Sequence, residues 1–125
     1  MAQANYEKFC EEVFRLHSKI RYVGIFEGPF TLIKMRPGLE NLLTVDETKI
    51  SLADTLTRWK TRQGLAKKLG KPLYAMAEYE KVKRITVPID DDGLILVSAD
   101  PSIFHEVITK EIIELRDRFI IEEDE

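Results

Sequence analysis

A chain of 125 residues has about the usual length of one domain. Its composition, with 44% hydrophobic and 33% charged residues, excludes a disordered chain. No apolar run approaches the roughly 18–20 residues that cross a bilayer, which excludes a membrane-spanning helix. The single cysteine, Cys10, excludes an intramolecular disulfide or a zinc cluster, and the first residues lack the pattern of a secretory signal. We therefore expect a cytoplasmic protein that does not contact a membrane.

Charge is unevenly distributed along the chain. The formal net charge is −3, but residues 48–77 hold seven basic residues and one acidic residue, which leaves −9 for the remainder. A basic middle segment therefore lies inside an acidic protein, and such a segment favours acidic partners.

The first third of the chain predicts one helix and two strands. Apolar side chains in residues 5–17 recur at helical spacing, which predicts an amphipathic helix. Residues 21–26 and 30–35 are rich in β-branched and aromatic side chains, and both predict strands. Gly28 and Pro29 between them predict the connection.

A long middle helix is predicted next. Thr44 and Glu47 stand at capping-box spacing at its start, and Gly70 followed by Pro72 marks its end. At 100° per residue its apolar face holds Leu52, Leu56, Trp59, Gln63 and Ala66.

The basic residues of this helix bracket the apolar face. One flank holds Lys49, Lys60 and Lys67, and the other holds Arg58 and Arg62. Leu65 and Leu69 fall on the same arc as the two arginines, so this arc is a candidate contact surface.

The last part of the chain predicts three strands and a helix. Residues 73–79 and 83–89 alternate with period two, and Pro88 favours the end of its strand. Residues 90–93 predict a tight turn, and the apolar run 94–97 predicts a central strand with both faces covered. Asp100 and Pro101 predict the start of the last helix. The apolar stripe of that helix is Phe104, Ile108, Ile112, Leu115 and Phe119, with Ile103 and Val107 alongside.

These elements follow the order αββαβββα and predict an α+β fold with a central antiparallel sheet and flanking helices. We expect a single domain over residues 1–121, followed by an acidic tail at residues 122–125.

Residues that could carry chemistry are few. His17 and His105 stand apart in sequence without metal-ligand spacing, Ser98 has no nucleophile-elbow motif, and the acidic turn at residues 90–93 is too short for a calcium loop. The six glycines form no phosphate-binding motif. We therefore predict a protein that is not an enzyme, with no catalytic, cofactor-binding or metal-binding residues.

Three interpretations of the basic middle helix stay open: nucleic-acid binding, contact with a protein of complementary charge, and a solvated surface. The sequence isoelectric point near 5.5 and the two directions in which the basic flanks point both disfavour nucleic acid.

The element order, with a long helix between the second and third strands and a terminal helix after residues 94–100, resembles the roadblock/LC7 family and its profilin-like relatives. Residues 71–84 are also similar to those of small archaeal proteins of this type. The resemblance implies a five-stranded antiparallel sheet and a homodimer formed through residues 52–69 and 73–79. It further implies a scaffold or regulator of small GTPases and motor complexes, whereas profilin-like sensors bind small ligands.

The leading functional prediction is a homodimeric adaptor or regulatory subunit of an unidentified protein partner, with a small GTPase as the implied partner class. The alternative prediction is a small-molecule sensor with a pocket on the sheet face. The predicted interface residues are Arg58, Arg62, Leu65, Leu69, Tyr74 and Met76.

Overall fold

The computed structural model describes residues 5–124 and the side chains of residues 5–120. Its elements are α1 (Tyr6–Leu16), β1 (Ile20–Glu27), β2 (Phe30–Met35), α2 (Val45–Gln63), α3 (Ala66–Leu69), β3 (Ala75–Glu78), β4 (Lys83–Pro88), β5 (Gly93–Ala99) and α4 (His105–Asp124). The chain divides into two compact units. The middle unit is Gly38–Leu73, and the sheet unit is the remainder.

The five strands form one sheet in the order β2-β1-β5-β4-β3, and all neighbours are antiparallel. This confirms the predicted α+β class, the antiparallel sheet and the element order. The apolar run at residues 94–97 lies in β5, which is the central strand as predicted. Pro88 is the last residue of β4, so its missing N–H interrupts no hydrogen bond within the strand.

One face of the sheet forms the hydrophobic core together with α1 and α4. Inward-facing residues alternate along the strands, as Ile85 and Val87 do in β4. Helix α1 buries Tyr6, Phe9, Cys10 and Val13 against this face, and α4 buries Ile108, Ile112, Leu115 and Phe119. Phe9 and Phe119 join the two helices through a T-shaped ring contact with centroids 5.4 Å apart.

The end of α1 is closed by a side chain from beyond β2. Arg36 donates from Nε to the Ile20 carbonyl at 2.7 Å and from one terminal nitrogen to the carbonyls of Phe14 and His17, each at 2.9 Å. Its guanidinium also lies over the Phe14 ring, 5.2 Å from the centroid. The bond to Phe14 satisfies a carbonyl that the last turn of a helix leaves without an intrahelical partner, and the other two bonds join Arg36 to the residues that lead from α1 into β1.

The middle unit is built from α2 and α3. Thr44 and Glu47 form the predicted capping box: the Thr44 hydroxyl accepts from the Glu47 N–H at 3.1 Å, and the Glu47 carboxylate accepts from the Thr44 N–H at 2.9 Å. The predicted continuous helix is interrupted after Gln63. Gly64 and Leu65 form a turn between α2 and α3, and Gly70 ends α3 with a φ of 85°. Glycine suits that position because other residues are strained at positive φ.

The last helix begins at His105, so the prediction that it starts at Asp100 and Pro101 is wrong. The Asp100 carboxylate accepts from the Ser102 N–H at 3.0 Å and from its hydroxyl at 2.7 Å, which makes a local turn in place of a helix cap. These bonds lower the pKa of the Asp100 carboxyl. The buried amine of Lys83 donates to the Ile103 carbonyl at 2.8 Å and holds the segment that leads into α4.

The later start of α4 also changes the predicted core. Phe104 precedes the helix and is 81% exposed, and Val107 is exposed as well, whereas Ile103 is buried. Residues 122–124 continue the backbone of α4, and the side chains of the predicted acidic tail lie outside the described residues. The boundaries of the predicted single domain stay a prediction.

Candidate interaction surface

The middle unit exposes more apolar side chains than it buries. Among its hydrophobic residues only Trp59 is buried, with 3% of its surface exposed. Nine large hydrophobic residues of the same unit are exposed: Leu39, Leu42, Leu43, Val45, Ile50, Leu56, Leu65, Leu69 and Leu73. These side chains offer apolar area that a partner could bury.

The predicted arginine arc lies on this exposed surface. Arg58 forms an ion pair with Asp54 at 2.9 Å, one helical turn away, and Arg62 is exposed. Leu65 lies in the turn that follows α2, and Leu69 is the last residue of α3, with exposed fractions of 53% and 79%. We call Arg58, Arg62, Leu65 and Leu69 the arginine arc. It combines apolar side chains with cations that can pair with an acidic group.

The lysine flank is also exposed. Lys49, Lys60 and Lys67 have exposed side chains, and none of them forms an ion pair within the described part of the chain. The middle unit as a whole has seven basic and four acidic residues, a formal charge of +3, which leaves −6 for the sheet unit.

Two predicted interface residues belong to the sheet unit. Tyr74 immediately precedes β3 and is exposed. Met76 lies in β3 opposite Ile85 and packs against the core, so its side chain stabilises the sheet. Strand β3 is an edge of the sheet, since β4 is its one neighbour in the strand order. Its outer backbone groups can therefore pair with another strand.

The residues weighed for catalysis do not form a catalytic group. Ser98 alternates with the core residues Val97 and Ala99, so it faces away from the side of the sheet that holds Cys10 and His105. The Nδ1 atom of His17 accepts from the Lys19 N–H at 3.0 Å in the loop after α1. His105 opens α4, and its buried Nδ1 has no hydrogen-bond partner among the described residues.

Cys10 is held in the unreactive thiol form. It is fully buried in α1, and burial raises the pKa of its thiol to about 11 despite the nearby positive charge of Lys34. A cysteine that stays protonated at neutral pH is a poor nucleophile and a poor metal ligand.

Within residues 5–124, no three His, Cys, Asp or Glu side chains are grouped where they could hold a metal ion. In the same part of the chain, no helix combines the length and the apolar character that crossing a bilayer requires.

The helical wheel predicts the exposure of the arginine arc but not that of every exposed apolar residue. That the arginine arc is an interface stays a prediction. The helical wheel placed Arg58, Arg62 and Leu69 away from the apolar face, and the structure leaves all three exposed. The spacing of Phe104 from Ile108 and Ile112 predicts a core position for Phe104, and Val107 is predicted alongside the same stripe. The Asp100-Pro101-Ser102 sequence, which suits a turn as well as a helix start, is the signal that could have placed Phe104 before the helix.

Comparison with solved structures places the architecture among known folds. No protein-family model matches the sequence, and no curated protein matches it. MglB from Myxococcus xanthus is similar at 14% identity over 98% of this chain and 99% of its own, with a TM-score of 0.73. The gliding protein MglB from Thermus thermophilus matches at 19% identity over 94% and 92% of the two chains, with a TM-score of 0.68. A roadblock/LC7 domain from Streptomyces avermitilis matches at 9% identity over 86% and 88%, with a TM-score of 0.65.

Proposed function

We propose that this chain, whose fold is that of a roadblock/LC7 domain, acts without catalysis as a homodimeric adaptor or regulatory subunit. Two contact elements are proposed, one in each unit: the arginine arc in the middle unit, and the edge strand β3 with Tyr74 in the sheet unit. Its further partner is a protein, and a small GTPase is the partner class that the resemblance implies.

The observation that carries the proposal is the exposed apolar surface of the middle unit. In this segment of 36 residues one hydrophobic residue is buried and nine large ones are exposed, so part of its apolar surface stays in contact with water. Burying apolar surface contributes about 25 cal/mol per Å², so covering these leucines favours association. The flanking arginines supply planar donors, and arginine is enriched at protein interfaces.

The edge of the sheet supports the same proposal from the sheet unit. Ala75 and Ala77 in β3 face away from the core and are small, so another strand can approach this edge closely. Strand addition at an edge satisfies backbone N–H and C=O groups that otherwise bond to water. Tyr74, next to this edge, offers an exposed aromatic ring of the kind that interfaces bury.

The test is a Leu65→Glu/Leu69→Glu double substitution, followed by size-exclusion chromatography with light scattering. A twofold-symmetric contact places equivalent residues of the two copies near one another, so added carboxylates repel and leave folded monomers. We expect the dimer of the native chain to dissociate at least about tenfold more readily in the variant, the equivalent of about 1.4 kcal/mol.

A matched control is Ala53→Glu/Thr57→Glu, which adds the same two charges to exposed positions on α2 away from the arginine arc. The control should remain dimeric, with circular dichroism unchanged in both variants. A double-glutamate variant of the arginine arc that keeps the dimer mass would contradict the proposed surface.

A further inference from the structure

The face of the sheet that points away from the core carries a cluster of polar side chains. Tyr22 of β1, Ser98 of β5 and Arg84 of β4 lie side by side, because Ser98 is in register with both of the others. All three alternate along their strands with core residues, which places them on the opposite face. Thr86 is the next residue of β4 on this face. We call Tyr22, Arg84, Thr86 and Ser98 the sheet-face cluster.

Arg84 is a half-buried cation without a counter-charge. Its neighbours on the same face are Ser98, Ala77 and Thr86, and none of them is acidic. Within the described part of the chain, Arg84 forms no ion pair and no side-chain hydrogen bond. A partly desolvated guanidinium is stabilised when an anion accepts from its planar set of donors. Arg84 is therefore suited to bind an anion that the chain itself does not supply.

The hydroxyl of Tyr22 lies over Gly24 on the same face. A Cβ at Gly24 would lie 3.0 Å from this hydroxyl, so glycine leaves room for it. Gly24 is in register with Leu96, and Leu96 is in register with Thr86, so the Tyr22 hydroxyl and Thr86 flank Leu96. Burial raises the pKa of Tyr22 to about 12, although the charge of Arg84 opposes this shift. The hydroxyl therefore stays protonated at neutral pH and can donate a hydrogen bond.

The sheet-face cluster has the dimensions of a site for a small molecule. Neighbouring strands are about 4.8 Å apart, and residues on one face of a strand are about 7 Å apart, so the cluster borders an area of about 10 Å by 7 Å around Leu96. None of its three hydroxyls has a hydrogen-bond partner among the described side chains, and each keeps part of its surface exposed. Exposed apolar side chains lie on either side: Met35 beside Tyr22, and Ala77 beside Arg84.

We propose that the sheet-face cluster binds a small organic acid through its carboxylate. Arg84 donates two parallel N–H bonds to the carboxylate oxygens, and the hydroxyls of Ser98 and Tyr22 donate to the remaining lone pairs. One guanidinium balances one negative charge, which favours a carboxylate over a phosphate dianion. The apolar part of the acid rests on the exposed apolar side chains beside the cluster. This site contains none of the predicted interface residues, and it therefore goes beyond the proposed function.

The experiment is a titration of the full chain with sodium benzoate at constant total salt, followed by the NMR shifts of backbone amides. Saturable shifts are expected, largest at residues 22–24, 84–86 and 96–98. Arg84→Gln should weaken benzoate binding at least about tenfold, because hydrogen bonds between charged groups are the strongest ones. Tyr22→Phe and Ser98→Ala should each weaken it about threefold, as expected for the loss of one neutral donor.

Two controls isolate the role of charge at this site. Arg118→Gln makes the same change in net charge at an exposed position of α4 and should leave benzoate binding unchanged. Benzamide has the same ring without the negative charge and should bind the native chain at least about tenfold more weakly than benzoate. Circular dichroism compares the fold of each variant with that of the native chain.

The proposal is overturned if benzamide binds as tightly as benzoate, if Arg84→Gln leaves benzoate binding unchanged, or if the shifts lie away from β1, β4 and β5. Tighter binding of inorganic phosphate than of benzoate would contradict the choice of a carboxylate. If Arg84→Gln does not fold, the two hydroxyl variants and the comparison of benzoate with benzamide decide the question.

Discussion

Replacing Phe9 by alanine is expected to lower the free energy of unfolding by about 3–5 kcal/mol. Phe9 is completely buried in α1 and makes an edge-on ring contact with Phe119 of α4. Truncation removes its buried apolar area and leaves a cavity between the two helices that cover the sheet. Urea unfolding followed by circular dichroism, at one fixed protein concentration, measures the change.

Phe104→Ala is the matched control for this prediction, because it deletes the same atoms from a side chain that is 81% exposed. The free energy of unfolding should change by no more than about 0.5 kcal/mol. Equal losses for the two phenylalanine variants would contradict the core described for the sheet unit.

Arg36→Ala is expected to cost about 2–4 kcal/mol of stability. One guanidinium donates to three backbone carbonyls at 2.7–2.9 Å and stacks on the Phe14 ring. Its loss removes the guanidinium donor from the Phe14 and Ile20 carbonyls, whereas the His17 carbonyl keeps the Ile20 N–H at 3.2 Å. Each partly buried acceptor left unsatisfied costs about 1–3 kcal/mol when water cannot replace the donor. Thermal and urea unfolding of the variant measure the loss.

Two companion variants separate geometry from charge at this position. Arg36→Lys keeps the charge, but an ammonium cannot reproduce the planar set of donors, so less than half of the loss should be recovered. Arg15→Ala removes an arginine whose ion pair with Glu12 is exposed and should change stability by about 0.5 kcal/mol or less. If Arg36→Ala is as mild as Arg15→Ala, the carbonyl contacts contribute nothing measurable.

Elements with strong local signals could be predicted from the sequence. Each of three such signals combines a residue type with a backbone position that favours it: the capping box at Thr44 and Glu47, the proline that ends β4, and the apolar run of β5. The resemblance to the roadblock/LC7 fold rested on the order of these elements. Comparison with solved structures supports this resemblance at the level of the fold.

Features that depend on distant contacts could not be predicted in this way. Arg36 is followed by Pro37 and Gly38, which are typical of a turn, and nothing local indicates that its side chain reaches Phe14 and Ile20. The amine of Lys83 likewise holds Ile103, twenty residues away in sequence. Periodicity alone extended the apolar stripe of α4 backwards to Phe104, whereas the hydrogen bonds of Asp100 and Ser102 begin the segment as a turn.

The candidate surface was accessible to sequence reasoning in part. A helical wheel places Arg58 and Arg62 away from the apolar face because this depends only on residue spacing within α2. The break at Gly64 and Leu65 was missed, since arginine and glutamine before it and alanine, lysine and leucine after it all favour a helix.

Sedimentation equilibrium of the native chain in about 0.5 M NaCl, at protein concentrations from about 1 to about 100 µM, tests the proposed homodimer most directly, since salt at this level screens exposed charge contacts. Apolar burial at the arginine arc and pairing at β3 predict a mass about twice the chain mass of 14.5 kDa. A mass of 14.5 kDa across the whole concentration range would contradict the proposed homodimer.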